Sequence, residues 1–422
     1  MRVYFNIYNI CFIKTVLFLK YRTKFLITYF LTASIKMKAV VFGGAGVVGS
    51  FAVKCLSEMD TFSKIVIADI AEARAKNFMK SNSKLEFIKT DATDEKSLSK
   101  SIESADVAVN CVGPFYKFAP RILKTAISKG VNYVDVCDDY DVTEELLDDY
   151  NKSAKDAGTT CIVGLGASPG LTNIIASFAA KQLDSVEDIK IFVTRGIEEE
   201  AGGAIPYHML HCWVGKIPIF KNGKLQRAQG LVEGEEYVTF PEPFGQVPVY
   251  YFGYPETVTL PRYIKGVKNV CCKGTFFPPQ FREALVSLES LGFLSDKTVN
   301  VKGKSVKIID FTASYIDVMR EKISKSAKNI PSGGAVMVEV KGEADGEPQT
   351  IRYEGTAHMR QGTGTPAAIG AKMLAEGKIK SPGVFAPEGC IPPMEFIMNF
   401  LNIEGFGDAW ITIKQKMSAD LI

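Results

Sequence analysis

A glycine-rich turn near the start of the chain has the spacing of a dinucleotide-binding loop. Gly44, Gly46 and Gly49 form a G-x-G-x-x-G motif between the apolar run 38–42 and a helical pattern over 50–56. One glycine permits the tight turn, one lets the backbone approach a pyrophosphate, and one allows close helix–strand packing. The helix N-terminus also offers N–H groups to the phosphates. The residues predicted to contact the phosphates are Gly44, Ala45, Gly46, Val47, Val48 and Gly49.

An acidic residue, Asp69, closes the second apolar run, 64–69, twenty residues after Gly49. A carboxylate there accepts hydrogen bonds from an adenosine ribose and repels a 2′-phosphate, so the sequence favours NAD over NADP. Arg74 can counter that preference, and Asp69 can instead cap the next helix. Further cofactor contacts are predicted at strand ends, at Ile70, Asp91, Ala92, Val112, Gly113 and Pro114.

Short apolar runs alternate with helical stretches through the first part of the chain. The runs span 38–42, 64–69, 85–90, 107–112, 131–137 and 160–166, with helical patterns at 119–129 and 142–157. This alternation predicts an α/β fold, a Rossmann doubly wound parallel sheet that binds ligands at the carboxyl ends of its strands.

The second part of the chain is strand-rich and broken by glycine and proline. The runs 336–342 and 349–355 predict paired antiparallel strands, and Thr365 with Pro366 predicts a helix start. We therefore predict an NAD(P)-binding Rossmann domain over 37–170, completed by about 362–405. A second α+β domain over 171–361, with a mixed or antiparallel sheet, would bind substrate and form a homodimer.

The charge is unevenly distributed along the chain. Lys and Arg number 50 and Asp and Glu 47, but residues 1–36 hold six cations and no acid. The remaining chain is therefore mildly acidic, which argues against a nucleic-acid partner. The longest uncharged runs of the leader, 3–13 and 25–35, are 11 residues each, whereas a membrane helix needs about 20. We expect 1–36 to lie outside the fold, with Met37 the true start; a membrane anchor and a targeting leader are the alternatives.

The cysteines and histidines show no pattern typical of a metal site. None of the nine cysteines forms C-x-x-C, and the three histidines form no zinc motif. Scattered cysteines are typical of free thiols in a reducing compartment, so the sequence predicts no metal and a cytoplasmic location.

Two enzyme classes are compatible with the glycine turn. Gly43, Gly46 and Gly49 also fit the G-x-x-G-x-x-G loop of short-chain dehydrogenases and sugar-nucleotide epimerases, but no tyrosine here has the lysine four residues later that their chemistry needs. Later segments resemble the saccharopine dehydrogenase family instead. The similar segments are 110–116 (NCVGPFY), 130–135 (GVNYVD), 164–173 (GLGASPGLTN), 253–262 (GYPETVTLPR) and 383–388 (GVFAPE).

The resemblance implies an NAD(P)-dependent oxidoreductase acting at a C–N bond of an amino acid. Saccharopine dehydrogenases that form glutamate usually carry Asp just before the Pro-Gly junction, where this chain has Ser168. That departure favours the lysine 6-dehydrogenase type, with lysine or saccharopine-like amino acids as substrates.

Such chemistry requires a dry site and a proton carrier for the substrate nitrogen. The catalytic candidates are Tyr116, Cys137, Asp138 and His208, with Asp139 beside them; packing, a buried thiol, a helix cap and a core histidine are the alternatives. Arg262 is the candidate clamp for a substrate carboxylate, with a surface ion pair as the alternative. A dinucleotide-binding protein without catalysis also stays open.

Overall fold

The computed structural model describes residues 36–80, 82–198, 205–327, 329–403 and, as backbone, 414–418. The predicted leader, apart from Lys36, lies outside them. The strands are β1 Met37–Phe42, β2 Phe62–Asp69, β3 Leu85–Lys89, β4 Val107–Asn110, β5 Asn132–Asp135, β6 Thr160–Ile162, β7 Ser185–Gly196, β8 Lys216–Lys221, β9 Lys224–Gln229, β10 Glu236–Thr239, β11 Gln246–Phe252, β12 Asn269–Phe277, β13 Thr298–Val301, β14 Lys304–Lys307, β15 Gly334–Ala344, β16 Glu347–Ala357, β17 Gly383–Phe385 and β18 Lys414–Ser418. The helices are α1 Val47–Glu58, α2 Glu72–Met79, α3 Glu95–Ser101, α4 Phe115–Ser128, α5 Tyr140–Asp149, α6 Asn151–Ala157, α7 Leu171–Ala180, α8 Ile205–Cys212, α9 Glu256–Tyr263, α10 Pro279–Ser290, α11 Ile308–Ser326, α12 Met359–Ala375, α13 Pro387–Cys390 and α14 Pro393–Leu401.

The first sheet is parallel and has seven strands in the order β17-β6-β5-β4-β1-β2-β3. Its interior strand β1 is buried on both faces: Ala39 and Val41 pack into one hydrophobic cluster, Val40 and Phe42 into another. Burial on both faces explains why this strand reads as an unbroken apolar run. The doubly wound α/β fold predicted from the sequence is confirmed.

The second sheet is mixed and has nine strands. Its main path runs β10-β11-β12-β7-β15-β16-β18, and β8 pairs with both β12 and β9. β7 and β12 are parallel, whereas β15 pairs antiparallel with both β7 and β16. The predicted antiparallel pair therefore exists as the hairpin β15–β16, and the second α+β domain is confirmed as a fold class.

The segment after the second sheet returns to the first. Helix α12 packs on α1, where a Cβ atom on Gly364 would meet the backbone N of Ala52 and the backbone O of Val48, both at 3.0 Å. Strand β17 then adds the edge of the first sheet beside β6. The division into domains at 37–170 and 171–361 stays a prediction.

The predicted helix start at Thr365 is wrong. Helix α12 begins six residues earlier, at Met359, so that Thr365 and Pro366 lie inside it. A proline lacks the N–H that would bond to the carbonyl four residues before it, which is why it resembled a helix start. No helix among the described residues is both long and apolar enough to cross a membrane.

Gly49 is the tightest point of the glycine turn, because a Cβ atom there would lie 2.1 Å from the carbonyl O of Gly43. Overpacking of this kind costs roughly 1–3 kcal/mol. We expect Gly49→Ala to lower the thermal unfolding temperature by several degrees, on the order of 1 kcal/mol or more. The control is Ser50→Ala, one residue later, whose loss is a single local hydrogen bond to the Val47 carbonyl. Equal unfolding temperatures for the two variants would contradict the packing described.

Candidate active site

A cavity of about 730 Å³ lies between the carboxyl ends of the first sheet and the second sheet. Its walls come from the glycine turn, the ends of β2, β3 and β4, the junction 166–169, helix α7, and strands β7, β15 and β16. A volume of this size suits a cofactor or a drug-sized ligand. The site is therefore shared by both parts of the chain.

The glycine turn presents a helix N-terminus to this cavity. Gly43 has a φ of +71°, and the backbone N of Gly46 donates to its carbonyl. Helix α1 then begins at Val47 with no side-chain cap. The first N–H groups of a helix have no partner within it, so the turn can cradle a phosphate. Of the predicted phosphate contacts, those lining the cavity are Gly46, Val47, Val48 and Gly49.

Three predicted cofactor contacts do not line the cavity. A Cβ atom on Gly44 would point into the protein, 2.9 Å from the Val41 carbonyl and 3.1 Å from the Ile67 side chain. Ala45 is buried and is held by Asp69, and Pro114 lies just outside the wall formed by Gly113. These three residues therefore contribute to the shape of the turn and of the strand end, and they do not form the surface of the cavity.

Asp69 is the last residue of β2, and its carboxylate fixes the backbone of the glycine turn. Its Oδ2 accepts from the N–H of Ala45 at 3.0 Å, and its Oδ1 accepts from the N–H of Ala71 at 2.9 Å. The carboxylate therefore acts as a turn-organising group as well as a wall of the cavity. The other cavity residues at this end are Ile70, Arg74, Asp91, Ala92 and Thr93.

Two adjacent carboxylates and a histidine meet where the two sheets approach. Asp138 and Asp139 follow β5, and His208 lies on α8 of the second part of the chain. The Nδ1–H of His208 donates to Oδ1 of Asp139 at 3.0 Å and lies 3.2 Å from Oδ1 of Asp138. Asp138 lines the cavity, whereas His208 lies behind it. The structure thus brings together Asp138 and His208, two of the catalytic candidates from the sequence.

Burial and charge shift the protonation of this cluster in different directions. Burial raises the pKa of Asp138 to about 6, with the nearby imidazole of His208 opposing it. Burial opposes ionisation of Asp139 as well, but its hydrogen bond to His208 lowers the pKa of that carboxyl below its ordinary value. Burial alone would lower the pKa of His208, yet the two carboxylates outweigh it and raise that pKa. A carboxyl with a pKa near 6 suits proton exchange near neutral pH.

Two residues that the sequence reasoning did not select complete the wall around Asp138. Tyr254 lines the cavity, and its ring centroid lies 5.5 Å from that of His208. Arg195, at the end of β7, also lines it; its Nε is buried without a partner, and its terminal nitrogens lie 3.9 Å and 4.0 Å from the sulfurs of Met359 and Met209. Tyr254 lies in a segment already noted for its resemblance, but no local pattern marks Arg195.

Tyr116 and Cys137 are not cavity residues, so the structure gives them other roles. Tyr116 is the second residue of α4 and is 47% exposed, with its ring 6.1 Å from that of His211. Cys137 is fully buried, and burial raises the pKa of its thiol well above the ordinary value. A thiol that stays protonated inside the core is a poor proton carrier. The alternative interpretations, packing and a buried thiol, describe these two side chains.

Arg262 lies outside the cavity and forms ion pairs. Its NH1 is 2.7 Å from Oδ1 of Asp148, and its NH2 is 3.4 Å from Oε1 of Glu144. Both carboxylates belong to α5, so the guanidinium joins α9 to the first part of the chain. The structure thus shows Arg262 in the ion pair that was the alternative to a substrate clamp, with its charge compensated by two carboxylates.

The junction 166–169 contributes a polar wall beside the apolar one. The hydroxyl of Ser168 lines the cavity and donates to Oε1 of Glu256 at 2.5 Å. The same oxygen accepts from the hydroxyl of Thr172 at 2.7 Å. Because its proton points to Glu256, Ser168 presents a hydrogen-bond acceptor to the cavity.

Three potential metal ligands also lie together, although the sequence predicted no metal site. One donor atom from each of Asp139, His208 and Cys212 lies within 4.8 Å of the others. Hydrogen bonds already account for this spacing: His208 donates to Asp139, and the thiol of Cys212 donates to the same Oδ1 at 3.5 Å. The described contacts therefore give this cluster a hydrogen-bonding role.

The pH dependence of stability tests the His208 cluster. A histidine whose folded pKa is raised stabilises the protein fully below its unfolded value, near 6.5, and loses that contribution as the pH rises through the folded value. We expect the loss of unfolding free energy caused by His208→Gln to be larger at about pH 6 than at about pH 9, by on the order of 1 kcal/mol. Urea unfolding at both pH values measures this difference. An equal loss at both would show that the imidazolium does not pair with Asp138 and Asp139.

Comparison with known proteins matches two family models to consecutive parts of the chain. The family model of the saccharopine dehydrogenase NADP-binding domain matches residues 40–162, and that of the saccharopine dehydrogenase C-terminal domain matches residues 166–406. Carboxyaminopropylagmatine dehydrogenase of Synechocystis is 23% identical over 383 residues, which cover 84% of this chain and 94% of that relative. Carboxynorspermidine synthase of Vibrio cholerae is 24% identical over 394 residues, covering 84% and 93%.

A solved structure has the same fold. The apo saccharopine dehydrogenase (L-Glu forming) of Saccharomyces cerevisiae superposes with a TM-score of 0.63 at 17% identity, covering 90% of this chain and 99% of that one. The two family models together span the glycine turn, the Asp138 cluster and the strands β7 to β16 of the second sheet. This chain therefore belongs to the saccharopine dehydrogenase family.

Proposed function

We propose that this protein is an NADP-dependent oxidoreductase that transfers hydride at a C–N bond of an amino-acid substrate, with lysine and saccharopine-like compounds as the candidates from sequence. The observation that carries the proposal is Asp138, a cavity carboxyl with a pKa raised to about 6 by burial, beside the guanidinium of Arg195. The relatives, named as a dehydrogenase and a synthase of amino-acid or polyamine compounds, support the same class.

The glycine turn fits a dinucleotide. Gly46 and Gly49 lack side chains where the cradle is narrowest, and the α1 N–H groups face the cavity. When bound, the dinucleotide supplies or accepts the hydride at its nicotinamide ring. The residues that would hold it are those of the turn, Asp69 with Ile70, and Asp91 with Ala92 at the adenosine end.

The choice between NADP and NAD depends on the residues that face the 2′-phosphate of the adenosine ribose. The sequence favoured NAD because of Asp69, but both oxygens of that carboxylate already accept backbone N–H bonds. Arg74 lines the same end of the cavity and is exposed, so a phosphate can reach it. The first family model, described as an NADP-binding domain, supports the same preference. We therefore propose NADP as the working cofactor.

Asp138 is the proposed proton carrier for the substrate nitrogen. Its carboxyl gives a proton to the nitrogen in one direction and accepts it in the other, and His208 and Asp139 hold it in position. Arg195 is the proposed partner for a substrate carboxylate, because no carboxylate of the described residues pairs with its guanidinium within 4 Å. Guanidinium binds carboxylate in two parallel hydrogen bonds, which orients the substrate. Together these two side chains would hold the amino and carboxyl groups of an amino acid.

The cofactor preference can be measured directly by binding. We expect Arg74→Ala to weaken NADPH binding about tenfold and to leave NADH binding unchanged, because a charge-assisted hydrogen bond contributes about 1.5–3 kcal/mol. Lys76→Ala is the matched control: this cation lies on the same helix but pairs with Glu72. Titration of nucleotide fluorescence gives both dissociation constants. An unchanged NADPH to NADH ratio in Arg74→Ala would refute the role given to Arg74.

Catalysis is tested by reduced-nicotinamide absorbance with lysine, saccharopine and related amines. We expect Asp138→Asn to lower kcat by about 100-fold or more with NADPH affinity unchanged, since general acid–base catalysis contributes about 10²–10⁴-fold. Asp141→Asn is the control, an acid of the same segment that pairs with His211 outside the cavity. Full activity of Asp138→Asn would contradict its role. Tight NADPH binding with no turnover of any amine would instead favour the non-catalytic dinucleotide-binding alternative.

A further inference from the structure

Six apolar residues line the part of the cavity next to Arg195, and we call this part the apolar arm. They are Leu171 and Ile175 of α7, Val193 of β7, Val336 and Val338 of β15, and Tyr353 of β16. All six are buried or half-buried. None of these side chains carries a charge at neutral pH, in contrast to the cavity around Asp138.

Strand register places the arm directly in line with Arg195. Across the second sheet, Arg195 pairs with Gly334, Val193 pairs with Val336, and Ile191 pairs with Val338. Residues two apart on a strand share a face, so Arg195, Val193 and Ile191 follow one another along one side of β7. Along this face, the guanidinium of Arg195 is therefore followed by two apolar cross-strand pairs, which we call rows: Val193 with Val336, then Ile191 with Val338.

On the neighbouring strand β16, a glycine leaves space beside the first apolar row and a tyrosine fills the space beside the second. Gly355 of β16 pairs with Val336 and contributes no side chain to the first row. Tyr353 pairs with Val338 and forms the end of the arm. Its hydroxyl accepts a hydrogen bond from Nε2 of Gln182 at 3.0 Å, and its ring lies 6.0 Å from that of Phe178. With two residues of strand rise per row, the path from Arg195 to Tyr353 is roughly 14 Å long.

Helix α7 covers the path from the other side. Leu171 and Ile175 are one turn apart, so they lie on the same face of the helix, about 6 Å from each other along its axis. They pack toward β15 and β16, while Ile174, the neighbouring residue, is fully buried and does not line the cavity. The arm thus has one helix on one side and one sheet on the other, and Arg195 and Asp138 line the same cavity.

From this geometry we infer that the arm binds an uncharged aliphatic side chain of the amino-acid substrate, an inference that rests on the proposed function. The carboxylate lies at Arg195, the nitrogen lies at Asp138, and the side chain extends past Val193 and Val336 toward Tyr353. Glu354 also lines the cavity, but it lies on the opposite face of β16 from Tyr353, so none of the arm's side chains can pair with an ammonium. Burying an ammonium without a partner is strongly unfavourable, so lysine, one of the candidates from sequence, fits this arm poorly. Each buried methylene of an aliphatic chain contributes about 0.8 kcal/mol, about fourfold in affinity.

The test compares L-norleucine with L-lysine, whose side chains have similar length but differ in charge. Calorimetric titration into the protein saturated with NADP⁺ gives both dissociation constants. We expect norleucine to bind at least about tenfold more tightly than lysine, and norleucine to bind about fourfold more tightly than norvaline, which is one methylene shorter. Equal or tighter binding of lysine, or no binding of any of the three, overturns the inference.

A variant pair locates the effect in the arm. Ile175→Ala widens the arm at its helix wall, so we expect cyclohexylalanine, whose side chain is broader, to gain affinity relative to norleucine. Ile174→Ala removes the same atoms from the same helix, outside the cavity, and is expected to leave the ratio unchanged. The same shift in both variants would overturn the assignment.

The result also separates the two proposals. Selective binding of norleucine without formation of NADPH supports the arm and contradicts the proposed oxidoreductase activity. Formation of NADPH from lysine, with no preference for norleucine, supports the activity and overturns the arm.

Discussion

The hydrogen bond between His208 and Asp139 is the contact on which the site depends. It joins the end of β5 in the first sheet to α8 beside the second sheet, at 3.0 Å and away from solvent. A buried carboxylate and imidazole are costly to separate, because each would be left charged without a partner. The pair therefore fixes the distance between the two walls of the cavity. It also places Asp138, the residue just before Asp139, at the surface of that cavity.

Different parts of the cavity are lined by different kinds of chemical groups. Backbone N–H groups at the α1 N-terminus and Arg74 serve a phosphorylated ligand at one end. Asp138 and Arg195 supply one acid and one cation in the middle, and apolar side chains line the far arm. An electrostatic site surrounded by apolar walls excludes water, which strengthens the interactions of the few polar groups it contains.

Local sequence patterns predicted the first sheet and the phosphate turn well. The apolar runs of β1 and β2, the glycine spacing and Asp69 are short-range signals, so they need no knowledge of the rest of the fold. Asp138 and His208 were predicted only as separate candidates, because they stand 70 positions apart in the sequence. Arg195 was missed and Arg262 chosen instead, since only tertiary packing decides which arginine already has carboxylate partners. The start of α12 was misplaced because Pro366 follows the rule for a helix start, whereas contact with α1 holds the helix together around it.

Isotope transfer tests the central claim of this account most directly. The protein is incubated with NADPH deuterated at the reactive nicotinamide carbon, together with a panel of 2-oxo acids and either ammonium or a primary amine. The carbonyl and the amine condense to an imine with loss of water, and hydride transfer then reduces the C=N bond while a proton joins the nitrogen. The account predicts that mass spectrometry finds one deuterium on the carbon that bears nitrogen in the product. A product without deuterium, or no product from any pair although NADPH binds, would contradict it.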